Sequence, residues 1–174
     1  LESPLCMFSD EAAGAMAGFG ERAVPVLIEV VRGKATVLAR HSAIRTLESM
    51  EASAAVPALL KAARDPEKLV ANAAIAAVAK LRTPEGWRGL GLLLEEGGPC
   101  DAQIAQELFF SYSTAPVPGL IKALGRWPGG SEESDGILRT LRFITHEEFP
   151  ADHGVWSRWY ETKPKFDPAV FPRR

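Results

Sequence analysis

Apolar residues recur at helical spacing in four places along the chain. Val24, Leu27, Ile28 and Val31 stand at i, i+3, i+4 and i+7, which places them on one stripe of an α-helix. The same columns hold Val56, Leu59, Leu60 and Ala63, then Trp87, Leu90, Gly91 and Leu94, then Val117, Leu120, Ile121 and Leu124. The steps between them are 32, 31 and 30 residues. Pro25, Pro57 and Pro118 stand near the front of three of these segments, where a missing N–H costs a helix nothing. A second helical pattern follows each first one: Ala43, Ile44 and Leu47, then Ala74, Ile75 and Val78, and later Ile137, Leu138 and Leu141. After Cys100 the frame that best continues these columns is Ala105, Gln106 and Phe109. Near the start, Ala15, Met16 and Phe19 fit the second-helix columns of an incomplete unit.

Breakers separate the patterns at Arg32-Gly33-Lys34, Asp65-Pro66, Gly97-Gly98-Pro99 and Pro128-Gly129-Gly130-Ser131. Gly20 is placed to end the first helix. Asp65-Pro66-Glu67 reads as a helix cap, a first-turn proline and a first-turn acid. Repeats of this length, each unable to bury both of its stripes alone, predict an all-α fold. The expected form is an α-α superhelix: a right-handed solenoid of about four helical hairpins, after the incomplete N-terminal unit, without a β-sheet.

The recurring Val-Pro-x-Leu-Leu first helix, the Ala-Ala-x-Ala-Leu-like second helix and Asp65-Pro66-Glu67 resemble a bacterial HEAT-repeat protein, an armadillo-like solenoid, over most of residues 9–145. The resemblance implies the fold, and it implies a scaffold or binding role rather than an activity. The usual Asp/Arg pair between consecutive repeats is incomplete, because Ala71 stands where an arginine often sits.

Past the last repeat, Thr145 to Phe149 and the run Trp156-Ser157-Arg158-Trp159-Tyr160 resemble a closing segment seen after bacterial HEAT arrays. Asp152 is its expected N-cap, and Trp156 shares a face with Trp159 and Tyr160. A segment of this kind caps the apolar end of the last repeat, with Phe149, Trp156 and Trp159 expected to pack near Leu138, Leu141 and Ile144. The expected domain is thus a single solenoid over 1–163, including a capping helix at 152–163, with a Pro-rich extended tail at 164–174.

Composition agrees with a globular helical chain: 174 residues, 47% apolar, 24% charged and 8% aromatic, at the length of one ordinary domain. A net charge of −2 argues against a dedicated nucleic-acid binder. Two cysteines, Cys6 and Cys100, make no disulfide framework, and one bridge or two idle thiols are both open. No stretch approaches a membrane span. The cytoplasm is the favoured compartment, and an exported form after removal of a leader is the alternative.

Candidate chemistry is sparse. Of His41, His146 and His153, only His146-Glu147 matches the His-Glu pairs with which some HEAT-like hydroxylases hold iron, and one pair is too few ligands. There is no nucleophile elbow, phosphate-binding loop or His-Glu-x-x-His. Gly14, Gly18 and Gly20 do not match a dinucleotide fingerprint, and Cys100 has no adjacent base. Trp87, Trp127, Trp156 and Trp159 with Arg139, Arg142, Arg158, Arg173 and Arg174 keep a glycosylase-like nucleic-acid reading as an alternative, and no residue supports a bilin-lyase-like one. No catalytic residue, cofactor or metal is expected. The leading reading is a non-catalytic module that binds another protein; the alternatives are a HEAT-like enzyme with a groove active site and, third, a nucleic-acid-binding HEAT-like protein.

The resemblance implies that second helices line the concave face. The columns that point away from the core there are His41, Asn72, Gln103, Asp135, then Arg45, Ala76, Glu107, Arg139, then Glu48, Ala79, Phe110, Arg142. They are the candidate partner-binding residues. If Phe110 is exposed, it is an aromatic anchor ringed by charge. The alternative is that it packs against a neighbouring helix.

Overall fold

The computed structural model describes residues 20–111 and 113–162. Ala15, Met16 and Phe19, Gly14 and Gly18, Cys6, Tyr112 and the 164–174 tail with Arg173 and Arg174 lie outside the described residues. Among the described residues there are nine α-helices and no strand. They are α1 (Val24–Arg32), α2 (Val37–Ser49), α3 (Val56–Ala62), α4 (Lys68–Lys80), α5 (Pro84–Glu96), α6 (Asp101–Leu108), α7 (Val117–Leu124), α8 (Glu132–Thr145) and α9 (His153–Thr162). Pro25, Pro57 and Pro118 occupy the first turns of α1, α3 and α7, as their fixed φ and missing N–H favour. Side-chain caps open α2 and α8. Thr36 Oγ1 accepts the Ala39 N–H at 3.2 Å, and Ser131 Oγ accepts the Ser134 N–H at 3.1 Å. Gly20, with φ of 59°, takes the left-handed conformation and leads a short 3-10 turn into α1.

The chain gathers into two compact units that divide between Gly86 and Trp87, inside α5. A repeat array has no single centre, because each hairpin touches only its neighbours. In the first unit α1 pairs with α2 and α3 with α4, while α1 lies on α3 and α2 on α4. This stacking of like on like buries Leu27, Val31, Ile44, Leu47, Leu59, Ile75 and Val78. In the second unit α7 pairs with α8, α6 lies on α8, and α9 lies on α7. Its core holds Leu90, Leu94, Leu108, Leu120, Ile137, Leu141 and Trp156. Gly119 of α7 meets Gly91 of α5 so closely that a Cβ at 119 would stand 2.1 Å from the Gly91 carbonyl oxygen. Those two helices touch backbone to backbone.

Three expectations change. In α6 the buried columns are Ile104, Ala105 and Leu108, not Ala105, Gln106 and Phe109. The frame moves by one residue because Ile104 and Leu108 then take the buried positions and Gln106 turns to solvent. Secondly, Asp65 is not the cap of the following helix. The helix begins at Lys68, and Asp65 Oδ1 instead accepts the Glu67 N–H at 3.0 Å. Its other oxygen pairs with Arg40 of the preceding hairpin, so the inter-repeat ion pair missing at Ala71 is made from α2. A second pair spans the same 25 residues with the charges reversed, as Arg126 grips Asp101 through Nη2 at 2.7 Å and Nε at 3.2 Å. Thirdly, the capping helix expected over 152–163 runs from His153 to Thr162, while Asp152 caps it as expected, its Oδ1 accepting the Val155 N–H at 3.0 Å.

Candidate functional site

The outward-pointing residues of the second helices fall into two sets, one in each unit. In the first unit, α2 presents His41, Arg45 and Glu48, and α4 presents Asn72. Arg45 Nη1 donates to Glu48 Oε2 at 2.7 Å, and Lys80 Nζ of α4 donates to Glu48 Oε1 at 2.6 Å. Glu48 thereby ties the two second helices together, with both of its oxygens engaged. One turn earlier in the same stripe stand Leu38 and Leu69, which are 69% and 47% exposed. These two were not among the expected binding residues. Their spacing of 31, three positions before His41 and Asn72, was the available signal.

Asp135, Arg139 and Arg142 follow one another along α8 at steps of four and three, so they share a face. Phe143 of this helix stacks on Phe109, with ring centroids 4.4 Å apart and planes at 26°. Phe110 stands edge-on to Phe109 at 4.8 Å and to Phe143 at 6.1 Å. Ring pairs at these distances and angles are mutually attractive. Phe110 nevertheless remains 64% exposed. It sits past the end of α6, in the turn that follows Leu108, so no neighbouring helix covers it.

Two open clefts flank these rings. One, of 610 Å³, is lined by Phe109, Asp135, Arg139, Arg142, Phe143 and His146 among others. The other, of 540 Å³, is lined by Ala102, Gln106, Phe109, Phe110, Gly136 and Arg139 among others. Arg139 and Phe109 form the ridge between them. Gln103 and Glu107 line neither cleft, and Gln103 Nε2 donates to Glu107 Oε1 at 2.9 Å. The one-residue shift of frame in α6 puts Ala102, Gln106 and Phe109 into the outward columns assigned to Gln103, Glu107 and Phe110. Phe110 then shares its column with Ser49 and Phe143.

The closing segment borders this face. Arg142 donates to the Phe149 carbonyl oxygen through Nη2 at 2.8 Å and Nε at 3.1 Å, with Glu148 at 3.5 Å. His146 takes a left-handed conformation with φ of 58° and ends α8. Glu147, the other half of the His-Glu pair, accepts the Trp159 indole N–H at 3.0 Å and anchors α9. Among the described residues no three His, Cys, Asp or Glu side chains are grouped to hold a metal ion. No described helix is long and apolar enough to cross a membrane.

Residues 24–96 match the family of HEAT repeats. The chain carries HEAT repeats. The match spans α1 to α5. No curated protein matches the chain. HEAT repeats are commonly protein-interaction scaffolds and typically non-catalytic.

Proposed function

We propose that this chain is a non-catalytic protein-binding module, and that the outward face of its second helices is the binding face, anchored at Phe110. One observation carries the reading. A phenylalanine with 64% of its surface in water is held upright by two further phenylalanines. Leaving that much apolar surface exposed is unfavourable at about 25 cal/mol per Å². A fixed aromatic beside arginine, at the edge of a cleft, is the composition of an interface hot spot. His41, Arg45, Asn72, Leu38 and Leu69 form the corresponding surface of the first unit.

The test is to immobilise the protein, identify what it retains from an extract of its source cells by mass spectrometry, and titrate the retained partner against Phe110→Ala. Binding should weaken by about 1–2 kcal/mol or more, with the melting temperature unchanged. A destabilised variant whose folded fraction binds normally would show that Phe110 serves the fold and that this face is not the one used.

A further inference from the structure

We propose that the partner of the α8 face is a second copy of this chain, docked antiparallel across a two-fold axis that passes beside Gly136. This rests on the reading above that the Phe110 face is the binding face.

The exposed stripe of α8 is charged in an ordered way. Glu132 and Asp135 lie toward its start, and Arg139 and Arg142 toward its end. The pairs Asp135–Arg139 and Glu132–Arg142 are both centred on position 137. Two such helices laid antiparallel about that point bring Asp135 of each copy against Arg139 of the other, and Glu132 against Arg142. Acids near the start and bases near the end of a helix also suit its dipole, and the symmetric spacing about 137 is what an isologous interface requires in addition. Arg142 already donates to Phe149, so the inner pair carries the electrostatic part. Asp135 and Arg139 form no ion pair with any described residue, nor with each other, although they stand one turn apart.

Gly136 is the second, independent observation. It lies inside α8, where glycine is less stable than alanine. Nothing among the described residues demands it: a Cβ there would meet none of their atoms within 4 Å. At a helix crossing, a missing side chain lets two backbones approach. Gly136 stands one position from the point about which the charges are symmetric. It also lines the 540 Å³ cleft that Phe110 borders.

Sedimentation velocity over a concentration series tests this directly. The protein should dimerise reversibly, and more weakly as salt rises. Arg139→Asp should raise the dissociation constant about tenfold or more, since like charges then face each other twice. The double variant Asp135→Arg with Arg139→Asp should restore the dimer, because the complementarity is re-formed with reversed sign. Gly136→Gln should abolish the dimer while the monomer melts no lower than the parent. A monomer at all concentrations overturns the proposal, as does a dimer indifferent to Arg139→Asp and Gly136→Gln. A monomer that still loses affinity for a retained protein on Phe110→Ala overturns the second copy and leaves the Phe110 face standing. If Phe110→Ala changes neither association, both fall.

Discussion

Gly119 and Gly136 both lie inside helices, yet the same added methyl has opposite consequences. At Gly119 the methyl would press on the Gly91 carbonyl oxygen, and no rotamer relieves a contact made by backbone. Gly119→Ala should therefore lower stability by about 1–3 kcal/mol or more, the range for overpacking. At Gly136 there is open space, so Gly136→Ala should raise monomer stability by about 0.5–1 kcal/mol. Urea denaturation of both variants at low protein concentration checks the pair of signs. Asp101 poses a residue-scale question of charge. Its side chain is 2% exposed, and among the described residues Arg126 is the cation paired with it. Arg126 also donates to the Leu94 carbonyl. Arg126→Ala should cost about 1–3 kcal/mol, because it leaves a buried carboxylate with the Gly98 N–H as its remaining donor. Lys122→Ala, which removes an exposed pair to Glu95, should cost under about 1 kcal/mol by the same assay.

Between elements, the two inter-hairpin ion pairs carry the same geometric link with opposite polarity. Arg40 reaches Asp65 and Asp101 is reached by Arg126, each across 25 residues. The repeat accepts either sign at either end, which predicts that the charges at one junction can be exchanged. Asp65→Arg alone should destabilise the first unit, and Asp65→Arg with Arg40→Asp should recover most of the loss in thermal melts. The closing helix α9 is held by a different kind of contact. Trp156 is fully buried, its indole N–H donates to the Pro150 carbonyl at 2.9 Å, and its ring meets Phe149 and Trp159 at 5.2 and 5.7 Å. The His153 ring lies against Gly125 at the end of α7. Trp156→Ala should cost about 3–5 kcal/mol, and an unchanged melting temperature would remove α9 from the account of stability.

For the whole molecule, stability comes from successive hairpins covering one another, so the end of the array is where apolar surface must be hidden. Removing residues 146–174 should uncover the face of α7 that α9 covers, and should abolish the Arg142–Phe149 and Glu147–Trp159 contacts. The shortened protein should scatter light on heating at temperatures where the parent stays clear. Since the net charge is −2, little long-range repulsion opposes that aggregation.

The sequence by itself determined the helical class, the repeat length, most of the buried columns and the cap at Asp152, because each depends on spacing along one strand of chain. An apolar stripe or a capping side chain is a local property, and the period of a helix makes it visible in the order of residues. It did not determine the frame of α6. There, two readings one residue apart each supply plausible apolar positions, and only the packing on α8 selects Ile104, Ala105 and Leu108 over Gln106 and Phe109. Nor could it show that α6 stops at Leu108, which is what frees Phe110, or that Asp65 turns back to Arg40 instead of capping the next helix. Those outcomes depend on which groups from distant parts of the chain compete for the same space and the same charge. Such competition exists only once the hairpins are stacked.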